Sequence, residues 1–126
     1  MSKPLKGIRI LELAGVLAVP AVCMLLADLG AEVIKIEQPG VGDISRNYGP
    51  CFRGGESLYF MCMNRNKKSL TLDLKTSKGK EIFYSLVEKS DVVFEGYRPK
   101  AINQIDDDDA RQDNHRAPIN ENCLRF

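Results

Sequence analysis

Basic side chains are concentrated in one stretch of this sequence. Residues 46–80 contain eight lysines and arginines but only two acids, Glu56 and Asp73. A local excess of six positive charges suits an anionic ligand, whereas a solvated basic face without a partner is the structural alternative. Aromatic residues lie among the basic ones, but no zinc-finger, helix-turn-helix or RNA-recognition pattern accompanies them, so we expect no nucleic-acid partner. The basic residues are Arg46, Arg53, Arg65, Lys67, Lys68, Lys75, Lys78 and Lys80.

The cysteines and the histidine offer little for a metal site or a nucleophile. The chain has four cysteines without C-x-x-C spacing and one histidine, His115. We therefore predict no metal site and no catalytic residue among them. Cys23 and Cys62 are interpreted as reduced, small residues of the core.

The turn at residues 14–20 is the first place where a phosphate would be expected. It lies between a predicted strand and a predicted helix, where free N–H groups and the helix dipole converge. A dinucleotide-binding fold would place G-x-G-x-x-G here and an acid about 20 residues further on. Glu37 is suitably placed, but only Gly15 of the glycines is present. We therefore favour an exposed or lysine-paired Glu37 over a ribose-binding one.

The hydrophobic pattern predicts two β-α-β units that would position this turn. Short apolar runs alternate with helical spacing, which is typical of an α/β protein with a parallel sheet. Ser57 is a predicted cap for a short helix, and Ser77 for a longer amphipathic one. The predicted strands are 7–13, 33–37, 69–74 and 91–95, the helices start at Pro20, Leu58 and Ser77, and 38–55 is an extended loop.

Composition and charge divide the chain into two parts. Its 126 residues are 44% hydrophobic and 28% charged, as in an ordinary globular domain, and no apolar run is long enough to span a membrane. Residues 1–104 carry 15 basic and 11 acidic side chains, whereas 105–126 carry 3 and 6. We predict a Rossmann-like domain over 1–104 and an irregular acidic tail over 105–126. A parallel sheet that stops after four strands looks unfinished, so we expect a piece of a larger fold.

Several stretches together resemble the N-terminal part of family III CoA-transferases, the CaiB/BaiF type. They are ADLGAEVIKIE at 27–37, PGVGD at 39–43 followed by Arg46, NRNKKSLTLDLK at 64–75, and DVVFEGYRP at 91–99. The resemblance covers about residues 4–105. It implies a Rossmann-like open parallel sheet that holds coenzyme A, and α-methylacyl-CoA racemases belong to the same superfamily.

The resemblance implies a binding site for the adenosine and phosphate end of coenzyme A. The expected site residues are Leu72, Asp73, Leu74, Lys75, Gly96, Tyr97 and Arg98. Lys75 and Arg98 are the main candidates, because cationic side chains pair with phosphates. The sequence departs from the family at Gln38 and Gln104, where basic residues are usual.

The resemblance also implies a reaction that this chain is not expected to complete alone. Family members transfer coenzyme A between an acyl-CoA and a carboxylic acid through an aspartyl acyl-enzyme, and a carboxylate nucleophile divides the exchange into two steps. The matching aspartate would lie beyond residue 126, so we expect an inactive fragment of a longer, homodimeric protein. No metal is expected.

Two other functions stay open at this point. The same fragment could belong to an α-methylacyl-CoA racemase, or the chain could be a non-catalytic interaction module whose acidic tail binds a basic partner. The expected location is cytoplasmic, with mitochondrial or peroxisomal alternatives, because the N-terminus lacks a visible signal.

Overall fold

The chain folds into a parallel β-sheet with helices on both faces. The computed structural model describes residues 3–96 and 123–125. The sheet has the strand order β5-β2-β1-β6-β7, and every neighbouring pair is parallel. In chain order the elements are β1 (Arg9–Leu13), α1 (Ala18–Asp28), β2 (Glu32–Glu37), a 3-10 helix (Ile44–Asn47), β3 (Phe52–Arg53), β4 (Glu56–Ser57), α2 (Leu58–Asn64), β5 (Lys68–Thr71), α3 (Ser77–Val87), β6 (Val92–Glu95) and β7 (Cys123–Arg125). The predicted α/β class and parallel sheet are confirmed.

The first β-α-β unit follows the sequence pattern closely. Helix α1 begins at Ala18, two residues before the predicted start, so Pro20 lies in the first turn, where its missing N–H breaks no helical hydrogen bond. Gly30 has a φ of 107° and donates its N–H to the carbonyl of Ala27. Such a left-handed residue is a common end of a helix, and it turns the chain into β2.

Two apolar clusters lie on opposite faces of the sheet. The cluster under α1 includes Ile10 and Val33, and the cluster under α3 includes Leu11 and Phe83. Successive strand residues point to opposite faces, so the odd and even positions of β1 serve different clusters. Beyond Ile10 and Val33, the next residues of β1 and β2 on the α1 face are charged, namely Glu12 and Lys35.

The segment after β2 has more structure than the extended loop predicted for 38–55. It contains the 3-10 helix, capped by the Asp43 side chain, and the hairpin of β3 and β4. Gly54 and Gly55 form the hairpin turn with φ values of 60° and 86°, which glycine adopts at little cost. Ser57 then caps α2 as predicted, accepting a hydrogen bond from the N–H of Phe60.

Two local predictions were wrong. Thr76, not Ser77, caps α3: its hydroxyl accepts the N–H of Gly79 at 3.0 Å. Gly79 is required there, because a Cβ would overlap the carbonyl oxygen of Asp73. Cys62 is exposed rather than a core residue, since none of the residues of α2 is buried.

Parts of the earlier predictions fall outside the described residues. Tyr97 and Arg98 belong to this group, as does the predicted tail except for Cys123–Arg125. Those three residues form a strand parallel to β6, although the tail was expected to be irregular. Within residues 3–96 and 123–125, no helix is long and apolar enough to cross a membrane.

The cysteines give a direct test of this packing. Burial, followed by the nearby Glu12 carboxylate, raises the pKa of Cys23 to about 12, so this thiol stays protonated and shielded at neutral pH. Cys51 and Cys62 are exposed. Brief iodoacetamide labelling of the native protein, read by peptide mass spectrometry, should modify Cys51 and Cys62 at least tenfold faster than Cys23. Labelling after denaturation serves as the control, and equal native rates would contradict the packing of α1.

Candidate functional site at the carboxyl edge of the sheet

The parallel strands bring the predicted site residues that the structure describes, Leu72–Lys75 and Gly96, to one edge of the sheet. The chain leaves β1 towards β2 on one side, and β6 lies against the other side of β1. This reversal is the topological switch point, and open α/β sheets bind ligands in the crevice outside the carboxyl ends of the strands at that point. Residues 14–17 follow β1 there, and Gly96 follows β6.

Gly96 is packed tightly at the switch point. Its N–H donates to the carbonyl of Leu13 at 3.1 Å. A Cβ at this position would lie 3.1 Å from both the Ala14 Cβ and a methyl of Val19. The absence of a side chain therefore lets the two chain segments approach each other at the floor of the crevice.

The other predicted segment, Leu72–Lys75, lies at the same edge but some distance away. It follows β5, which is three strand spacings from β6, or about 14 Å at ~4.8 Å each. Leu72 is buried and Leu74 packs against the α3 cluster, whereas Lys75 is exposed. Asp73 accepts the N–H of Lys75 with its side chain at 3.0 Å. The structure therefore does not join the two segments, and one ligand that touches both must extend along the edge.

Sequence reasoning missed a buried charged cluster beside the first turn, formed by Glu12, Lys35, Asp43 and Lys67. Lys35 lies opposite Glu12 in the pairing of β2 with β1. Its ammonium is 2.8 Å from Glu12 Oε1 and 2.9 Å from Asp43 Oδ2. The ammonium of Lys67 is 2.7 Å from the other oxygen of Glu12. The side chains of all four residues are almost completely buried.

The lysines of the charged cluster also bind backbone and amide oxygens. Lys35 donates to the carbonyl of Ala14 at 2.6 Å. Lys67 donates to the carbonyl of Pro20 at 2.8 Å and to Asn64 Oδ1 at 2.9 Å. The cluster thus ties α1 and α2 to the carboxyl half of β1. A sequence signal was present, since Glu12 and Lys35 interrupt otherwise apolar buried strands.

The surroundings shift the pKa values of these groups in different directions. Burial alone would lower the pKa of Lys35, but Glu12 and Asp43 outweigh it and raise that pKa. Burial lowers the pKa of Lys67, and Glu12 only partly compensates. Burial alone would raise the pKa of Asp43, but hydrogen bonds from Lys35 and Ser45 keep it below its usual value. Asp43 and Lys35 are therefore a charged pair, not a free acid and base.

Glu37 forms a second ionic contact at the end of β2. Arg46 binds both of its carboxylate oxygens at 2.8 Å, and Ser69 donates a hydroxyl at 2.7 Å. The Arg46 guanidinium also lies 3.8 Å from the centre of the Phe60 ring. We predicted an exposed or lysine-paired Glu37, but this residue is buried and paired with an arginine. Its oxygens are occupied and are not available to a ribose.

The described residues show no arrangement of a metal site. No group of three His, Cys, Asp or Glu side chains in residues 3–96 is placed to hold a metal ion. The candidate site is thus the carboxyl edge of a parallel sheet. Gly96 packs closely at the switch point, and the exposed Lys75 lies at one end of the edge. The buried charged cluster lies beside the turn after β1. This combination is that of an open, Rossmann-like α/β sheet.

Comparison with known proteins gives the family. The model of CoA-transferase family III matches residues 5–117, and the chain belongs to this family. Over 103 residues it is 52% identical to succinyl-CoA:glutarate CoA-transferase from Homo sapiens, covering 82% of this chain and 24% of the relative. Over 105 residues it is 45% identical to formyl-CoA:oxalate CoA-transferase from Bradyrhizobium, covering 83% and 25%. The chain therefore spans about a quarter of the length of these relatives.

Solved structures agree with this assignment. A CaiB/BaiF family protein from Brucella suis superposes with a TM-score of 0.77 at 39% identity, covering 83% of this chain and 29% of that one. A protein from Mycobacterium tuberculosis superposes with a TM-score of 0.78 at 37% identity, covering 98% and 34%. The expected family and Rossmann-like fold are confirmed.

The Glu37–Arg46 contact predicts a specific dependence of stability on pH. Burial alone would raise the pKa of Glu37, but hydrogen bonds from Arg46 and Ser69 lower it from 4.5 to about 2. Because the folded pKa is depressed, the contribution is complete above pH 4.5 and is lost as the pH falls towards 2. It amounts to about 3 kcal/mol.

Urea denaturation of the parent chain and of Glu37→Gln between pH 7 and pH 2.5 would measure this contribution. The variant should be less stable at pH 7 and should lose much less stability on acidification. Glu81→Gln, on the exposed side of α3, is the control and should keep the pH dependence of the parent. Parallel curves for the parent and Glu37→Gln would contradict the assignment.

Proposed function

We propose that this chain is the acyl-CoA-binding N-terminal part of an enzyme that transfers coenzyme A between carboxylic acids. The observation that carries the proposal is the 45–52% identity to CoA-transferases over 103–105 residues. The family model matches residues 5–117, which include Leu72–Lys75 and Gly96. Because both of these relatives are transferases, the same comparison favours a transferase over a racemase. An interaction module finds no comparable support.

The expected ligand fits the layout of the edge. Coenzyme A has an adenosine 3′-phosphate, a pyrophosphate and a long pantetheine arm, so it is an extended polyanion. The exposed Lys75 would pair with a phosphate, and the Asp73–Lys75 turn would hold this lysine at the end of β5. The tight contact at Gly96 would leave room for the ligand chain across the switch point. Tyr97 and Arg98, which directly follow Gly96, are proposed as further contacts.

The chemical step would follow from a carboxylate outside this chain. In the proposed reaction an aspartate attacks the thioester carbonyl, the C–S bond breaks, and coenzyme A leaves as a thiolate while a mixed anhydride forms. The thiolate then attacks the aspartyl carbonyl of the anhydride, which releases the donor carboxylate and leaves an aspartyl thioester. The acceptor carboxylate attacks this thioester and displaces the thiolate, and the thiolate attacks the acceptor's acyl carbonyl in the new anhydride, which yields the new acyl-CoA and frees the aspartate. Each aspartate in residues 3–96 has a structural partner, which supports a nucleophile elsewhere. These residues are Asp28 with Arg65, Asp43 with Lys35, Asp73 with the N–H of Lys75, and Asp91 with the N–H of Arg9.

The proposed assembly follows only from the resemblance, and the location stays a prediction from the sequence, with mitochondrial or peroxisomal alternatives. We extend the proposal to a homodimer of the full-length protein and to a cytoplasmic location. No metal takes part in the proposed reaction.

Binding of coenzyme A by the 126-residue chain tests the proposal. Isothermal titration calorimetry should show saturable binding, and Lys75→Ala should weaken it about tenfold, because a charge-assisted contact to a phosphate is lost. Lys6→Ala is the matched control, since this exposed lysine precedes β1 and so lies at the opposite end of the sheet. It should bind like the parent. Failure of the parent to bind, or equal effects of the two substitutions, would reject the proposed site.

A further inference from the structure

Val16 has a backbone conformation that valine rarely adopts. It lies in the turn between β1 and α1 with a φ of 70°. In this left-handed region a β-branched side chain is strained, and such residues persist only where the surrounding structure holds them. Something in the fold must therefore hold this turn in place.

Asp43 contacts the turn from one side. Its Oδ1 accepts the N–H of Val16 at 3.2 Å, and it also accepts the N–H and the hydroxyl of Ser45 at 2.9 and 2.7 Å. The same oxygen would lie 3.3 Å from a Cβ at Gly15. The carboxylate is thus packed directly against the backbone of the turn, and this position favours the small residue found there.

Lys35 holds the turn from the other side. Its ammonium donates to the carbonyl of Ala14 and pairs with Asp43. Both side chains are almost completely buried, so the two charges have little alternative to these partners. The pair therefore joins the residue before Gly15 to the residue after it.

We propose that Asp43, held by Lys35, is a positioning residue for ligand binding at the switch point. The turn of Ala14, Gly15 and Val16 forms one wall of the crevice. Gly96 lies on the other wall and packs against Ala14. If the turn relaxes from its left-handed conformation, the spacing across the crevice changes. This inference rests on the proposed binding of coenzyme A at this edge, but the hold on Val16 is testable without it.

A double-mutant cycle separates positioning from general support of the fold. Asp43→Asn should weaken coenzyme A binding about tenfold and should speed hydrogen exchange of the Val16 amide, measured by NMR. Val16→Gly should raise the coenzyme A affinity of Asp43→Asn, and this gain should exceed the effect of Val16→Gly on the parent at least threefold. The reason is that glycine adopts a φ of 70° without strain. Ser45→Ala, which removes another partner of Asp43, is the control and should not be rescued by Val16→Gly.

The outcomes separate this inference from the proposed function. Unchanged Val16 exchange in Asp43→Asn, or no added rescue by Val16→Gly, would overturn the positioning role. Failure of the parent to bind coenzyme A would reject the proposed function, while the exchange measurement would still decide whether Asp43 holds the turn. If Asp43→Asn does not fold, Asp43→Glu keeps the charge beside Lys35 but displaces the carboxylate, and the same two effects are expected.

Discussion

The arrangement of this chain depends on one interaction, the pairing of the buried Lys35 ammonium with carboxylates on the α1 face of the sheet. An unpaired charge in that position would cost several kcal/mol, so anions must reach it from within the protein. Glu12 supplies one from the neighbouring strand, and Asp43 supplies the other from the segment after β2. The contact with Asp43 determines the path of that segment, because Asp43 can reach Lys35 only if residues 38–43 fold back over the sheet. Lys67 then balances Glu12, which brings the end of α2 against α1.

This constraint makes the two faces of the sheet different. The face under α3 is largely apolar, with Leu11, Leu13 and Ile36 in one cluster, and the buried Glu95 lies at its carboxyl end. The face under α1 carries the charged cluster towards the carboxyl edge, beside the apolar Ala14 and Phe94. Asp43, which caps the 3-10 helix, and Lys67, which follows α2, bring their charges to this part of the face. The charged support thus lies directly beneath the edge where ligands bind in such sheets.

The difference between the faces also explains how much the sequence could predict. The alternation of strands and helices along the chain, the parallel sheet and the cap at Ser57 follow from local periodicity and turn chemistry, and all were predictable. The 38–55 segment was not, because its structure depends on side-chain partners outside the segment that no local periodicity reveals, such as Lys35 for Asp43 and Glu37 for Arg46. Cys62 was misassigned because α2 is apolar in composition yet has no buried residue, and composition does not reveal which side of a helix is covered. Lys75 and Gly96 could be placed at one edge because each follows a strand of the predicted parallel sheet. The hydrogen bond between Asp43 and Val16 has no such sequence signal.

The positive charge of residues 46–80 is largely compensated in the folded chain. Counted along the chain, residues 46–80 have an excess of six positive charges, but four of the eight basic residues pair with carboxylates from outside the stretch. These pairs are Arg46 with Glu37, Arg65 with Asp28, Lys67 with Glu12, and Lys68 with Glu32. The charged cluster is itself neutral, since two lysines face two carboxylates. An anionic ligand at this edge therefore meets a largely compensated background, in which a few exposed side chains such as Lys75 set its position, because the buried lysines are committed to the fold.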